Sequence, residues 1–272
     1  KSEIVDTKNS DQKDINIIIE EKPTGELMAG AGYGSDGSTF SIGIKENNFK
    51  GEGINLNSKL SLSEQTVKGF FEYTHPNFAY SDRALSTSLE SSVTDKLSDF
   101  GYKSSLNKVS LGTRYEQFED TFFSPRLSIS DESLDTTSTA SAAYKKQQGS
   151  YFDTTFDYGL TLDKRNSAYQ PSSGFYSSWF QQLPIISENQ TIVNGYTITG
   201  YKEIVDDMIV SSGIYSRAVN SLSNDDVRVS KRVFAPSSRL RGFESGKVGP
   251  VDGTDHIGGN YVVTINTSST VP

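Results

Sequence analysis

The chain has 272 residues, a net charge of −8, no cysteine and only 34% hydrophobic residues. The negative charge argues against a general nucleic-acid-binding protein, and the lack of cysteine excludes disulfide scaffolds, thiol catalysis and Cys-based zinc sites. No stretch approaches the roughly 18 consecutive apolar residues of a transmembrane helix. A membrane β-barrel stays possible, because a barrel strand exposes only every second residue to lipid.

The N-terminal segment differs from the rest of the chain. Residues 14–21 form one β-prone run, Asp-Ile-Asn-Ile-Ile-Ile-Glu-Glu, which ends before Pro23 and Gly25. No signal peptide precedes this run, although an exported protein needs one. We therefore expect that residues 1–24 are the end of a small domain whose main part lies outside this chain. The alternative is an ordinary leading strand of the following domain.

From residue 25 onward, apolar and polar side chains alternate with a period of two, which is typical of half-buried β-strands. The clearest run places Phe152, Phe156 and Leu160 on one face and Asp153 and Asp157 on the other. Repetition of this pattern predicts about twelve strands. Each is near the roughly 9–11 residues that cross a bilayer at a tilt.

The connections between these runs alternate in length. Short turns such as 47–51 and 164–174 contrast with long polar loops at 131–149 and 220–256, as in an outer-membrane barrel. A soluble β-sandwich also alternates, but it needs a dry core between its sheets, whereas the polar face here carries Asp, Lys, Arg and Gly. We predict an all-β fold, an antiparallel transmembrane β-barrel over residues 25–272.

One stretch of the long loop 220–256 is unusual for a solvated segment. Leu240 and Phe243 flank Arg241 and Gly242. In a loop that folds back into a wet cavity, such apolar side chains pack on the wall while the guanidinium reaches acidic partners. The alternative is a plain turn with a solvated arginine.

Six motifs in chain order resemble the BamA family of outer-membrane β-barrel assembly factors. One of them is Leu-Arg-Gly-Phe, which resembles the Val-Arg-Gly-Phe motif of that family's sixth extracellular loop. Each motif alone is weak, but together they cover nearly the whole chain. They are Glu-Lys-Pro-Thr-Gly with Gly-Ala-Gly-Tyr-Gly (21–25 and 30–34), Asn-Phe-Lys-Gly-Glu-Gly (48–53), His-Pro-Asn-Phe (75–78), Asp-Lys-Arg-Asn with Gln-Pro-Ser-Ser-Gly-Phe (163–166 and 170–175), Leu-Arg-Gly-Phe (240–243) and Gly-Gly-Asn (258–260).

The resemblance implies a fragment of a longer protein. The family barrel has sixteen strands, of which this chain holds about twelve, and residues 1–24 correspond to the end of the last POTRA domain. The implied function is the folding and insertion of β-barrel proteins in the outer membrane of a Gram-negative bacterium. The implied partners are unfolded outer-membrane protein clients, accessory assembly lipoproteins, periplasmic chaperones and the lipid bilayer.

The resemblance also implies that Arg241 inserts into the lumen and pairs with acidic wall residues on later strands. Most of those strands lie outside this chain, and Ser268 stands at the corresponding position of the one that remains. Asp153 and Asp157, on a polar strand face, are therefore the candidate acidic partners within the chain.

The first barrel strand is predicted to be a weak one. Its glycines reduce packing and raise the entropy of the unfolded chain, or, alternatively, they relieve crowding in the lumen. The resemblance implies a lateral gate at this strand, whose open edge pairs with an incoming client strand. The two faces of the strand are Leu27, Ala29, Ala31 and Tyr33 on one side and Met28, Gly30, Gly32 and Gly34 on the other.

Other function classes receive less support from the residues. No Gly-x-Ser-x-Gly motif accompanies His75 or His256 as a hydrolase would require, and Asp252 and Asp255 match no metal-binding signature. We predict no enzyme, no metal and no cofactor. The remaining alternatives are a related two-partner secretion or translocation-and-assembly transporter, a passive porin and an outer-membrane lipase.

Overall fold

The computed structural model describes residues 2–6, 13–20, 22–34, 37–98, 101–244 and 246–270. Near the N-terminus, β1 (Ser2–Asp6) and β2 (Lys13–Ile17) form a separate antiparallel pair. The predicted β-prone run 14–21 thus contains most of β2, and its residue 21 lies outside the described residues. Within the described ranges, no helix is both long and apolar enough to cross a bilayer.

Eleven consecutive strands continue the chain, each antiparallel to its neighbours in sequence. They are β3 (Gly25–Gly34), β4 (Gly37–Phe49), β5 (Ile54–Ser63), β6 (Thr66–His75), β7 (Ala84–Lys96), β8 (Tyr102–Phe118), β9 (Thr121–Thr136), β10 (Gly149–Asp163), β11 (Ser173–Ser187), β12 (Thr191–Val205) and β13 (Met208–Ser221).

The sheet is completed after a long insertion. Residues 222–260, called the long loop below, contain the short hairpin β14 (Val251–Asp252) and β15 (Asp255–His256). Strand β16 (Tyr261–Ser269) then pairs with β13. The result is one twelve-stranded sheet with β3 and β16 at its edges, which confirms the predicted all-β, antiparallel architecture and its number of strands.

The two faces of this sheet differ in chemistry. The inner face, which the long loop covers, buries small polar and acidic side chains such as Ser110, Ser128 and Asp157. The outer face exposes large apolar side chains that alternate with them, including Leu111, Leu127, Ile129, Phe152 and Ile265. A polar inner face and an apolar outer face are what a bilayer-spanning barrel requires.

The outer face also carries a continuous row of aromatic rings. Tyr115 contacts Phe123 at 5.9 Å between ring centroids, Phe123 contacts Tyr158 at 6.2 Å, and Tyr158 contacts Trp179 at 5.4 Å. The row therefore crosses four neighbouring strands, from β8 to β11. Amphipathic rings in such rows mark membrane–water interfaces.

Connections at the two ends of the sheet differ in length, as the sequence indicates. At one end no connection exceeds nine residues, as at 50–53, 119–120 and 206–207, whereas the two longest, residues 137–148 and the long loop, lie at the other end together with the tight turns 64–65 and 188–190. The boundaries needed correction: β9 continues to Thr136, and the long loop covers 222–260 instead of 220–256. Beyond position 130, β9 carries polar residues on both faces. The alternation of apolar and polar side chains is lost there, so the sequence does not indicate that the strand continues.

Candidate functional site: the long loop on the inner face

The base of the long loop is tightly packed against the inner face. Val227, Arg228 and Val229 are consecutive and are 3%, 2% and 5% exposed. Two buried valines on either side of a buried arginine show that the barrel wall encloses this segment of the loop. The burial of Arg228 also implies a partner for its charge, because an arginine is almost never fully buried unless it is paired.

Arg228 is neutralised by acidic residues of the sheet wall. Its Nη1 lies 3.1 Å from Glu132 Oε2 on β9, and its Nη2 donates to Asp153 Oδ2 on β10. The guanidinium also lies 4.5 Å from the centroid of the Tyr151 ring. A planar fork that reaches two carboxylates and an aromatic face holds the loop in one position.

Lys231 adds a second cation to this cluster. Its Nζ lies 2.9 Å from Asp153 Oδ2, which gives two cations and two carboxylates in one buried site. Burial lowers the pKa of Lys231, the Arg228 cation lowers it further, and the bond to Asp153 acts in the opposite direction. Balanced charge is necessary here, because an unpaired charge is very costly in a desolvated site.

Apolar contacts fix the same part of the loop to the far side of the sheet. Val227 and Val233 pack in a buried cluster with Val193 of β12 and Val219 of β13. Val219 N also donates to the carbonyl of Asn260, where the loop rejoins the sheet, at 2.8 Å. The loop base therefore spans the inner face between β9–β10 and β12–β13.

A second loop closes over this base. The side chain of Gln147 accepts from Val229 N at 2.7 Å and donates to Val227 O at 3.3 Å. Gln147 directly follows the short helix α1 (Ala142–Lys146) in the loop between β9 and β10. A fully bonded amide buried between two loops fixes their relative position.

The tip hairpin of the long loop contacts the same helix. Asp252 accepts from Ala143 N at 2.7 Å, and Asp255 accepts from Ser141 N at 3.3 Å. Carboxylates at the first turn of a helix accept hydrogen bonds from backbone N–H groups that have no partner within the helix. These two acids therefore join the loops, and no group of three or more potential metal ligands occurs among the described residues.

The structure corrects the predicted partner of Arg241. The Arg241 side chain is exposed, and none of the described residues forms an ion pair with it. Asp153 instead binds Arg228, thirteen positions earlier in the loop. A buried guanidinium between two apolar anchors, as predicted for Leu240–Phe243, is thus found at Val227–Arg228–Val229. These residues lie at the base of the long loop, where it packs against the inner face of the sheet.

The stretch around Arg241 nevertheless lies beside the inner face. Asn266 Nδ2 of β16 donates to Arg239 O at 2.7 Å, and the Arg239 guanidinium lies 5.0 Å from the Tyr215 ring of β13. Leu240 is half-buried, while Phe243 is exposed. Gly242 has a φ of +84°, a left-handed conformation that favours glycine.

Asp157, the second predicted acidic partner, has a different neighbour. Its Oδ2 accepts from Ser128 Oγ at 3.1 Å, and Ser128 is in turn 3.0 Å from Ser110 Oγ. Asp157 Oδ1 is buried and finds no hydrogen-bond partner among the described residues. The residue belongs to a polar row across β8–β10, and its hydrogen bond among the described residues stays within the sheet.

Strand β3 forms one edge of the sheet and pairs only with β4. The register places Leu27, Ala29, Ala31 and Tyr33 on the outer face and Met28, Gly30, Gly32 and Gly34 on the inner face. Leu27 and Tyr33 are strongly exposed. Among the described residues no strand pairs with the other side of β3, so any strand added there would pair along this side.

The glycines of β3 face polar side chains of β4. A Cβ atom at Gly30 would lie 3.2 Å from Ser41 Oγ, and one at Gly32 would lie 3.3 Å from Thr39 Oγ1. Both distances are tight but involve side-chain atoms that can move. Relief of crowding on the inner face is therefore one physical reason for these glycines.

Sequence reasoning missed Arg228, although one signal was present. The run Val-Arg-Val at 227–229 alternates apolar and charged residues and is followed by Lys231 and Arg232, so it has the features that drew attention to Arg241. Only the fold shows which of the two arginines faces Glu132 and Asp153, because those acids come from strands about 75–96 positions earlier.

Comparisons with known proteins agree with this architecture. Residues 48–272 match the model of the Omp85 superfamily domain. The chain is 22% identical over 277 residues to the outer membrane protein assembly factor BamA of Nitratidesulfovibrio vulgaris, covering 97% of this chain and 34% of that protein. The BamA of Neorickettsia risticii is 24% identical over 265 residues, with coverages of 95% and 36%.

A solved structure shows the same fold. The crystal structure of BamA from Haemophilus ducreyi lacking POTRA domains 1–3 matches with a TM-score of 0.82 and 22% identity, and the match covers 100% of this chain and 58% of that one. The chain spans about a third of the length of the curated relatives. Because the family model matches well over half of its residues, this chain belongs to the Omp85 superfamily.

Proposed function

We propose that the protein containing this chain folds and inserts β-barrel proteins into the outer membrane of a Gram-negative bacterium. Its relatives from two organisms carry the name outer membrane protein assembly factor, and the barrel-type sheet supports the same location. The activity requires no chemical catalysis. It consists of offering a protein template on which a client strand can pair before it is released into the bilayer.

The place of β3 as the first strand of the sheet carries this proposal, since a strand beyond this chain closes the barrel against it and that seam can open. In lipid, each unpaired backbone N–H or C=O costs several kcal/mol, so an open edge is a strong site for strand addition. An incoming client strand satisfies its own backbone groups and those of β3 by β-augmentation. We assign the lateral gate to residues 27–34 for this reason.

The long loop supports the gate by keeping the sheet in shape. The cluster around Arg228 fixes the loop base, and Arg239 holds the motif stretch near β13 and β16. We assign Leu240, Arg241, Gly242 and Phe243 to contacts in the lumen, with acidic residues of strands beyond this chain as partners of Arg241.

The proposed partners follow from the same role. They are unfolded outer-membrane protein clients, periplasmic chaperones that deliver them and accessory assembly lipoproteins. We assign residues 1–24 to the end of a POTRA domain. The separate β1–β2 pair is compatible with that assignment, since it shares no sheet with the barrel strands.

Site-specific photocrosslinking tests the gate directly. With a photoreactive amino acid at Ala29 of β3, we expect covalent capture of a client halted during assembly, because this residue lies on the edge strand. The matched control is Thr154 of β10, an outer-face position whose strand is paired on both sides. Equal capture at both positions, or capture at Thr154 alone, would contradict the proposal.

A further inference from the structure

The turn between β6 and β7 is unusual among the tight connections of the sheet. Phe78–Tyr80 form a single 3-10 turn in which both Ala79 and Tyr80 have positive φ, 54° and 56°. Two consecutive non-glycine residues in this region are unfavourable, because Cβ approaches the carbonyl oxygen. Such strain persists only where surrounding contacts over-determine it.

Hydrogen bonds hold this strained shape. Phe78 N donates to Arg83 O at 2.9 Å. The Ser81 hydroxyl donates to Phe78 O at 2.6 Å and accepts from Arg83 N at 3.3 Å. As a result, the Tyr80 side chain projects fully from the protein, while Phe78 is about half-exposed and its ring lies 5.9 Å from that of His75. The sequence thus maintains two exposed aromatic rings on a fixed turn.

A cleft of about 510 Å³ lies next to this turn. Its lining includes Phe78 and Ala79 of the turn and Leu85 and Thr113 of the adjoining strands. Register places Leu85 and Thr113 on the apolar outer face, in line with Leu89 and Val109. The cleft therefore opens to the same surface that meets lipid.

A cation stands at the border of this cleft. Arg83 lines it and is exposed, with its guanidinium 4.8 Å from the Tyr115 ring, the first ring of the outer-face aromatic row. Neither the adjacent Asp82 nor any other described acid forms an ion pair with it. Its donors are therefore available to an anion at the level where the apolar surface ends.

We propose that this turn binds a glycerophospholipid of the leaflet at the short-turn end of the barrel. The acyl chain lies in the cleft beneath Phe78, the phosphate accepts from Arg83, and the Tyr80 ring sits among the headgroups. The site is continuous with the lipid-facing surface, and its charge complements a phosphate. A guanidinium is well suited to phosphate because its planar donors bind two oxygens together.

The test uses the complete protein in micelles of a maltoside detergent, which carries no phosphate, with a little added phosphatidylglycerol that bears a photoreactive group on its acyl chain. We expect crosslinks in the peptide that contains residues 78–85. Arg83→Gln should lower these crosslinks about tenfold relative to those elsewhere on the outer face, as expected for a lost charge-assisted hydrogen bond. Photoreactive diacylglycerol, which lacks phosphate, should label wild type no better than it labels the variant.

Arg114→Gln is the matched control. Arg114 is also exposed and lies 4.7 Å from an aromatic ring, that of Phe122, but on the inner face near the same end of the sheet. Its replacement should leave the crosslinks unchanged. The proposal is overturned if Arg83→Gln labels like wild type, if both variants lose labelling equally, or if diacylglycerol labels residues 78–85 as strongly as phosphatidylglycerol.

Discussion

Replacing Arg228 by Met is expected to destabilise the barrel by about 3–5 kcal/mol, the usual effect of removing one partner from a buried ion pair. Met keeps much of the side-chain volume, so the loss is mainly electrostatic. Asp153 would then keep the Lys231 ammonium, whereas Glu132 would lose its ion pair. The free energy of unfolding in denaturant, measured on the complete protein in detergent micelles, checks this value.

Two further variants separate the buried cluster from ordinary ion pairs. Lys146→Ala removes an exposed ion pair with Asp226, at 2.8 Å, between the β9–β10 loop and the long loop. We expect it to change the free energy of unfolding by less than about 1 kcal/mol. Adding Glu132→Gln to Arg228→Met should recover part of the loss, since Glu132 is the carboxylate that loses its ion pair while Asp153 keeps Lys231. Equal effects of Lys146→Ala and Arg228→Met would contradict the role assigned to the cluster.

Gly174→Ala is expected to cost about 2–4 kcal/mol, from an unfavourable backbone conformation together with overpacking. Gly174, the second residue of β11, has a φ of +90°, and a Cβ atom there would overlap the carbonyl oxygen of Lys164. The backbone cannot yield easily, because Lys164 N donates to Phe175 O at 2.9 Å across the same turn. The denaturant midpoint in micelles measures the effect.

Gly53→Ala isolates the contribution of the clash. Gly53 also has a positive φ, +69°, in another tight turn, but nothing lies within 4 Å of the position of its Cβ. We expect this variant to lose about 1–2 kcal/mol, the cost of a left-handed conformation alone. A loss at Gly53 as large as that at Gly174 would show that crowding against Lys164 is unimportant.

The sequence alone predicted the features that follow from side-chain alternation. The runs around Phe152 and Asp153 determine which face of β10 meets lipid, because successive side chains of a strand point to opposite faces. Twelve strands and their short turns follow from the same period. The faces of β3, from Leu27 to Gly34, were also assigned correctly by this rule.

The path of the long loop could not be predicted in the same way. A charged residue between apolar neighbours occurs twice, at Arg228 and at Arg241, and local sequence does not distinguish them. The choice depends on Glu132 and Asp153, whose positions are set by strand pairing far away in the chain. Long-range electrostatic partners of this kind are a property of the assembled sheet.

The role of Asp252 and Asp255 was hidden for a related reason. In sequence they form a solvated acidic stretch, and in the structure they accept from backbone N–H groups of the loop that carries α1. That five-residue helix has no amphipathic period that sequence analysis could detect. Contacts between loops thus become visible only once both loops are placed on the same sheet.

The central claim is that lipid covers the apolar outer face while the polar face is enclosed. Trp179 is the only tryptophan of the chain, and its contact with Tyr158 places it on the outer face. In the complete protein, with any tryptophan outside this chain replaced by Phe, its fluorescence should be quenched more strongly by phospholipids with brominated acyl chains than by aqueous iodide. Quenching by iodide without quenching by the brominated lipids would contradict the account.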